Sequence, residues 1–195
     1  MSLRREIIDV SKELLLKEGF AKLSMRKIAN RAGVTATSIY LYFKNKDELL
    51  LALVEESIER LTSALKGAID PSADPVKQLE KLTRTYVDYA LENPQEYEII
   101  YMVRPEEMPK YPREKFQQVR DIYEMIASII RSGIEKHVLD VDDPMISAYT
   151  IWAQLHGVVS VVLSKRLDTR IPKQPFLDHA IDQIIHGFII QRTPA

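Results

Sequence analysis

A chain of 195 residues with 46% apolar and 28% charged residues has the composition of an ordinary soluble globular protein, which argues against disorder. The net charge of −1 argues against a general nucleic-acid coating protein, and the absence of cysteine excludes disulfides, thiolate metal sites and thiol redox chemistry. The sequence has no recognisable export leader and no apolar run of membrane-span length, so we expect a cytoplasmic protein.

The small net charge hides an uneven distribution of charge along the chain. Residues 1–50 hold ten Lys and Arg against six Asp and Glu, a net charge of +4, while the remainder holds seventeen against twenty-two, a net charge of −5. Cations attract the phosphates of nucleic acids, so this N-terminal excess is typical of a DNA-binding segment. The cations that could neutralise phosphates are Arg4, Arg5, Lys22, Arg26, Lys27, Lys44 and Lys46.

The stretch from Leu23 to Phe43 predicts two short helices joined by a turn. Ser24 is a typical N-cap, because its hydroxyl can accept from a free amide of the first helical turn. Apolar residues at helical spacing extend this first helix to Ala32. Gly33 readily adopts the left-handed conformation that ends a helix, so we expect the turn there.

A second helix is predicted after the turn, with Thr35 as its N-cap and Tyr42 at its end. Ile39 and Phe43 lie four positions apart and form its inward face, which leaves short polar and aromatic side chains on the outer face. A helix-turn-helix that reads DNA holds its second helix in the major groove in this way. A helical hairpin can also serve packing alone, so the pattern by itself leaves a structural role open.

The first fifty residues combine several short motifs at characteristic spacing. These motifs are Gly19-Phe20, Leu23-Ser24-Met25-Arg26, Ile28-Ala29, Ala32-Gly33-Val34, Ile39-Tyr40-Leu41-Tyr42-Phe43, Lys46 and Leu49-Leu50. The combination resembles the N-terminal domain of TetR-type transcriptional regulators. The resemblance and the residue pattern together predict a DNA-contact surface formed by Ser24, Arg26, Thr35, Ala36, Thr37, Ser38, Tyr40, Leu41, Tyr42, Lys44 and Lys46.

The resemblance also implies a role for each part of this surface. The start of the first helix, at Ser24, and Lys46 at the start of the following long helix would contact phosphates. The second helix would face the groove, with Tyr40 and Tyr42 reaching the backbone or bases. Leu41 departs from the family pattern, which often has a polar or basic residue there. An aliphatic side chain cannot hydrogen-bond to a base, so we expect Leu41 to contact a thymine methyl group.

Helical periodicity continues through the rest of the chain, interrupted by prolines and polar loops. The predicted helices are a long one from Asp47 to Gly67, one from Pro75 to Asn93, a short one after Pro94, one through 116–130, one from Pro144 to Arg166 and one from Pro175 to Gln191, with a loop from Glu106 to Pro112. We therefore expect an all-α fold of eight to ten helices. It would comprise a three-helix DNA-binding domain at residues 1–46 and a larger effector-binding and dimerisation domain at 47–195.

The last two long helices have more apolar surface than we expect one chain to bury. Residues 151–163 are apolar around most of a helix, and small residues within them would allow a second helix to approach closely. This pattern predicts a homodimer interface formed by Ala153, Gly157, Ser160, Ser164, Ile181, Ile184, Ile185 and Phe188, and the resemblance implies the same, because the final two helices are the usual dimer interface of TetR-type regulators. Burial within a single chain is the alternative. A two-fold dimer would meet a near-palindromic DNA operator with half-sites about 34 to 36 Å apart.

A tryptophan, a histidine and a glycine occur together in Trp152-Ala153-Gln154-Leu155-His156-Gly157. This segment resembles the Trp-His-Gly signature of one subgroup of TetR-type C-terminal domains. An imidazole on an apolar helix needs a polar partner, so His156 is either a satisfied core residue or the polar anchor of a ligand cavity. The same residues that would form an ordinary core would line that cavity: Tyr86, Tyr89, Tyr101, Met102, Tyr123, Met125, Tyr149, Trp152 and His156.

No other chemistry is indicated by the sequence. Asp178, His179, Asp182 and His186 lie at helical offsets, but hydrogen bonds explain them as well as a metal does, so we predict no metal and no cofactor. Gly-rich phosphate loops, nucleophile elbows and HExxH motifs are absent, which argues against an enzyme. The sequence thus predicts a homodimeric DNA-binding regulator, a repressor relieved by a small apolar or aromatic effector. The alternative is a helical ligand-binding or interaction module that does not read DNA.

Overall fold

Helices provide the regular secondary structure of the protein, in a computed structural model that describes residues 2–101 and 113–189. Within these two ranges no β-strand forms, and the α-helices are α1 (Leu3–Glu18), α2 (Met25–Ala32), α3 (Ala36–Tyr40), α4 (Lys46–Ala68), α5 (Pro75–Glu92), α6 (Pro94–Tyr101), α7 (Arg113–Glu135), α8 (Pro144–Leu163) and α9 (Lys173–His186). The predicted all-α class is confirmed. The predicted loop at Glu106–Pro112 and the candidate ligand residue Met102 lie outside the described residues.

Local signals explain where the middle helices begin. Asp74 caps α5 by accepting hydrogen bonds from the amides of Val76 and Lys77, and Pro75 occupies the first helical position, where no amide is needed. Asp143 caps α8 in the same way, and Pro144 again stands first. Both helices therefore start where the sequence predicts them.

The last two helices are shorter than predicted. α8 ends at Leu163 instead of Arg166, because the Ser164 hydroxyl donates to the Ser160 carbonyl over 2.6 Å and Lys165 adopts a positive φ of 56°. Such a backbone conformation cannot continue a right-handed helix. α9 begins at Lys173, two residues before the predicted start, and ends at His186 instead of Gln191.

Internal contacts divide the chain into two compact units. The first comprises Met1–Glu59 with Gln95–Lys115, and the second comprises Arg60–Pro94 with Phe116–Ala195. In the first unit α1, α2 and α3 pack on one another around side chains that are fully buried. The largest of these side chains are Ile7, Ile28, Ile39, Leu49, Leu50 and Leu53. This core supports the helix-turn-helix from behind.

The second unit is built on α5, α8 and α9, which pack against one another. The apolar stripe of α9, formed by Ile181, Ile184 and Ile185, is buried within the single chain. The prediction that these three isoleucines form a dimer interface is therefore corrected, because side chains already covered by their own chain leave nothing for a partner to cover. Phe188, just after α9, is half-buried.

α8 is covered by its own chain on one side only. Ile151, Leu155 and Val159 are buried, whereas Ile146 and Tyr149 are exposed. Only 28% of the most apolar 18-residue stretch of α8 is buried, although the mean hydropathy of that stretch is 1.4. Within the described ranges it is the one helix with the length and composition of a membrane span, so the prediction that the chain has no apolar run of this length is corrected. Core helices of soluble proteins share both properties.

Candidate nucleic-acid interface

The turn between α2 and α3 has the geometry that the sequence predicts. The Ser24 hydroxyl accepts from the amide of Lys27 over 3.3 Å and caps α2. Gly33 adopts a left-handed φ of 67°, and the amide of Val34 donates to the carbonyl of Ala29 over 3.0 Å. These two hydrogen bonds and the glycine set the angle at which the chain leaves α2.

A side-chain cap starts α3 at the predicted residue, but the helix is shorter than predicted. The Thr35 hydroxyl oxygen accepts from the amide of Ser38 over 3.2 Å and lies 2.8 Å from the Ser38 hydroxyl. α3 ends at Tyr40, so the prediction that it runs to Tyr42 is wrong by two residues. The carbonyl of Ile39 accepts from the amides of both Tyr42 and Phe43, and this shared acceptor tightens the chain into a turn.

Alternate burial of the side chains around this turn separates a core face from a solvent face. Ile39 and Phe43 are only 0% and 2% exposed, whereas Tyr40, Leu41 and Tyr42 are 52%, 80% and 41% exposed. The predicted division into inward and outward faces is confirmed. We call Tyr40, Leu41 and Tyr42 the exposed triplet. Large apolar side chains in water are costly to maintain, so a contiguous group of them indicates a contact surface.

The remaining predicted contact residues surround the exposed triplet along the chain. Ser24, Arg26, Thr35 and Thr37 are exposed, and Ala36 and Ser38 are half-buried. The start of α4 is closed by two hydrogen bonds. The amide of Lys44 donates to the Glu48 carboxylate over 2.6 Å, and the amide of Glu48 donates to the Asn45 side chain over 2.8 Å. This cap holds half-buried Lys46 at the first position of α4 and exposed Lys44 just before it.

Two of the cations counted from the sequence as phosphate ligands are bound by carboxylates. Lys27 forms an ion pair with Glu18, and this partner holds the pKa of the Glu18 carboxyl below its usual range. Arg5 lies 3.1 Å from Asp9 and 2.7 Å from Glu56, and the hydrogen bond that its guanidinium donates to the Asp9 carboxylate raises the pKa of Arg5. The basic character of residues 1–50 is thus concentrated on fewer side chains than the sequence suggests.

Four predicted ligand-site residues form an aromatic cluster in the second unit. The rings of Tyr123 and Tyr149 are stacked with centroids 3.8 Å apart, and Trp152 meets Tyr123 edge-on at 5.8 Å. The imidazole of His156 stacks on Trp152 at 5.4 Å. Burial lowers the pKa of His156, because desolvation disfavours its charged form. The predicted association of Trp152 with His156 is therefore present in the structure.

The other predicted ligand residues have different surroundings. Tyr86 is buried and Tyr89 half-buried on α5, and Met125 is half-buried on α7. Tyr101 belongs to the first unit, where its ring lies 5.0 Å from that of Tyr97. The structure therefore groups Tyr123, Tyr149, Trp152 and His156 directly through ring contacts.

Three of the acidic and histidine side chains of α9, Asp178, Asp182 and His186, are engaged in ordinary polar contacts. Asp178 accepts from Arg84 over 2.5 Å, and this contact lowers the pKa of the carboxyl. His186 lies 3.0 Å from Asp182 on the exposed face of the helix. Among the residues that the structure describes, no three potential ligands come together in a way that could hold a metal ion.

Comparison with known proteins relates both halves of the chain to regulators. Residues 7–53 match the family model for bacterial regulatory proteins of the tetR family, and residues 79–184 match the model for tetracyclin repressor-like C-terminal domains. A Haemophilus influenzae protein described as an uncharacterized HTH-type transcriptional regulator is 34% identical over 92 residues, 47% of this chain and 49% of that protein. The chain thus spans about half the length of this curated relative.

Solved structures share the fold over nearly the whole chain. A Rhodococcus protein of unknown function has a TM-score of 0.83 at 24% identity, with 97% of each chain covered. A TetR family transcription regulator from Marinobacter aquaeolei has a TM-score of 0.75 at 15% identity, covering 97% of this chain and 96% of its own. At such identities the likeness establishes the fold alone. The two family models match the N-terminal and C-terminal parts in turn, and the second alone covers more than half of the sequence, so the chain belongs to the tetR family of bacterial regulatory proteins.

Proposed function

We propose that the protein is a sequence-specific DNA-binding transcriptional regulator. The observation on which this rests is the exposed triplet, Tyr40, Leu41 and Tyr42, which follows a capped helix-turn-helix in the basic N-terminal segment. A helix-turn-helix of this kind enters the major groove with residues at and near its second helix. Family membership supports the same function, which would be exercised in the cytoplasm, where the DNA lies.

We assign the DNA contacts according to the chemistry of each side chain. Arg26, Lys44 and Lys46 are cations and would bind phosphates, with the Ser24 end of α2 beside them. The short side chains of Thr35, Ala36, Thr37 and Ser38 would allow the backbone of α3 to approach base edges. Tyr40 and Tyr42 would contact the DNA backbone or bases, and Leu41 would contact a thymine methyl group.

The active form in this proposal is a homodimer that binds a near-palindromic operator. Support comes from α8, which is strongly apolar yet poorly covered by its own chain. Ala153, Gly157 and Ser164 are exposed along it and Ser160 is half-buried, so a second helix could approach its backbone closely. These four residues and Phe188 remain in the proposed interface after Ile181, Ile184 and Ile185 are removed from it.

The effector in this proposal is a small apolar or aromatic compound that binds in the C-terminal domain. The aromatic cluster of Tyr123, Tyr149, Trp152 and His156 supports this chemistry, because planar aromatic molecules stack on such rings and an imidazole offers one polar contact. It also favours, as a finer assignment, the subgroup with the Trp-His-Gly signature. We propose repression relieved by the effector. Linkage then requires the effector to bind more weakly to the DNA-bound dimer.

Selection of bound sequences from a random pool of duplex DNA tests the central proposal. We expect a near-palindrome with half-sites about 34 to 36 Å apart. Affinity for the selected operator should fall by about 0.9 log units per log unit of salt for each neutralised phosphate. Failure to enrich any sequence, together with binding that does not change with salt, would instead support a helical module that binds ligands or proteins.

Two variants test the assigned contacts on that operator. Tyr42→Ala should weaken binding without unfolding the protein, because the side chain is 41% exposed and lies outside the buried core. Lys46→Ala should weaken binding by a similar factor on the operator and on random DNA, as expected for a phosphate contact. A loss for Lys46→Ala that is confined to the operator would contradict the phosphate role.

A substitution on α8 tests the dimer. Gly157→Leu places a bulky side chain on the exposed small-residue face, where a Cβ on Gly157 meets no atom within 4 Å in the single chain. We expect a folded monomer by analytical ultracentrifugation and a marked loss of operator affinity. A Gly157→Leu protein that remains dimeric would exclude this face as the interface.

A further inference from the structure

Arg4, in the first turn of α1, lies over the ring of Phe43, the residue that directly follows the exposed triplet. The guanidinium carbon of Arg4 lies 5.4 Å from the centroid of the Phe43 ring. Phe43 is 2% exposed and follows directly on the exposed triplet, and its amide is held by the carbonyl of Ile39. Arg4 itself is exposed. A cation thus lies beside the residue that directly follows the exposed triplet.

The two neighbouring arginines of α1, Arg4 and Arg5, have different partners. Arg5 is bound by Asp9 and Glu56, so its N–H groups are already directed at carboxylates. For Arg4, by contrast, the described ranges 2–101 and 113–189 contain no carboxylate within ion-pair distance. Within the described ranges, the partner of its guanidinium is the aromatic face of Phe43. Arg4 therefore keeps its hydrogen-bonding capacity, while Arg5 has used much of its own.

The contact with Phe43 orients the guanidinium without consuming its donors. A guanidinium is attracted by the negative charge of an aromatic face, and this attraction leaves N–H groups available for an anion. A planar edge with two parallel N–H groups matches the spacing of phosphate oxygens. Holding a long side chain in this orientation before binding also lowers the conformational entropy lost when an anion binds.

We propose that Arg4 binds a phosphate of the DNA backbone at the edge of the exposed triplet, and that the Phe43 ring positions it for this contact. The inference rests on the proposed function and adds a contact residue from α1, outside the helix-turn-helix. The ligand is a backbone phosphate rather than a base, because a phosphate accepts from the paired N–H edge whatever the sequence. Arg4 therefore contributes affinity and register, and the specificity comes from α3 and the exposed triplet.

The test compares the two arginines on the selected operator and on random DNA, over about 50 to 200 mM salt. For Arg4→Gln we expect affinity to fall about fivefold on both DNAs, and the slope of log affinity against log salt to become shallower by about 0.9. For Arg5→Gln, the matched control, the slope should stay at the wild-type value. Thermal melts establish that each variant is folded.

Two more variants examine the role of the ring. Arg4→Lys keeps the charge but lacks the planar fork, so we expect a wild-type salt slope with reduced affinity. Phe43→Leu keeps an apolar side chain in the core but removes the ring. In the Phe43→Leu background, Arg4→Gln should cost less affinity than it does in the wild-type protein, because the guanidinium is no longer positioned.

The outcomes separate this inference from the function on which it rests. If the wild-type protein binds the operator with a steep salt slope and Arg4→Gln keeps that slope, Arg4 is a packing residue and the inference is overturned, while the proposed function stands. Equal effects of Arg4→Gln with and without the Phe43 ring would overturn the positioning role. A wild-type protein that binds no DNA overturns both proposals together.

Discussion

The ammonium group of Lys12 on α1 forms an ion pair with the carboxylate of Glu96 on α6, within the first unit. Glu96 is 5% exposed, and a carboxylate at that depth needs a compensating partner because it has lost most of its hydration. The two residues lie 84 positions apart in the sequence. The contact therefore ties a helix from the distant middle of the chain to the DNA-binding unit.

We predict that Lys12→Met destabilises the protein because it leaves the Glu96 carboxylate buried beside an apolar side chain. The loss should be about 2 kcal/mol in the free energy of unfolding, below the usual cost for a fully buried pair since Lys12 is partly exposed. Urea denaturation measures it. The double variant Lys12→Met with Glu96→Leu should recover much of this loss. If the double variant is as unstable as the sum of the two single ones, the pair is not coupled.

Contact of Leu41 with a thymine methyl group predicts a paired effect in protein and DNA. Replacing the contacted thymine of the operator by deoxyuridine removes one methyl group, which should weaken wild-type binding about fourfold if the methyl is buried. Leu41→Ala should bind both operators with the same affinity, because the contact is already lost. Fluorescence anisotropy with the two duplexes measures this difference. An equal loss for wild type and Leu41→Ala would contradict the contact.

Replacement by alanine should have opposite effects on stability at two helical glycines, Gly133 and Gly157. A Cβ on Gly133 would lie 2.4 Å from Cδ1 and 2.6 Å from Cγ of Leu139, which is itself buried. Gly133→Ala should therefore destabilise the protein by about 1–3 kcal/mol. Gly157→Ala is the matched control. Its Cβ meets nothing within 4 Å in the single chain, so in monomers it should be neutral or stabilising by up to about 1 kcal/mol. Thermal and urea unfolding measure the stability of both variants. A Gly133→Ala protein as stable as the wild type would contradict the predicted clash with Leu139.

Burial of His156 predicts a specific pH dependence of stability. Its pKa in the folded protein lies below the ordinary value of 6.5, so near pH 6 the unfolded chain binds the proton more readily. Stability should therefore fall as the pH drops through about 6.5 and level off again below the folded pKa. His156→Gln should lack this part of the profile, as measured by urea unfolding between about pH 7.5 and 5.

A direct measurement of the same pKa uses proton NMR of the four histidines in the chain. The imidazole of His156 should titrate at a pH below the ordinary value for histidine, because burial disfavours its charged form. If His156 titrates at the ordinary value for histidine or above it, desolvation does not determine its protonation, and the stability prediction fails with it.

The sequence by itself determined the features that depend on neighbours along the chain. The caps at Ser24 and Thr35 and the left-handed turn at Gly33 could be predicted because each involves hydrogen bonds or backbone sterics within a few residues. The alternation that buries Ile39 and exposes Tyr40 follows from helical spacing alone. The start of the later helices after an aspartate and a proline is likewise a local signal.

Only the tertiary structure decided which surface covers an apolar face and which carboxylate binds a cation. Periodicity indicates that the α9 isoleucines are buried, but it cannot distinguish cover by the same chain from cover by a partner. Charge counting treats Arg4 and Arg5 alike, whereas Arg5 is bound by Glu56 from α4 and Arg4 lies on Phe43. Such contacts join residues that are distant in sequence, so they depend on the path of the whole chain. Patterns within a short window contain no information about that path.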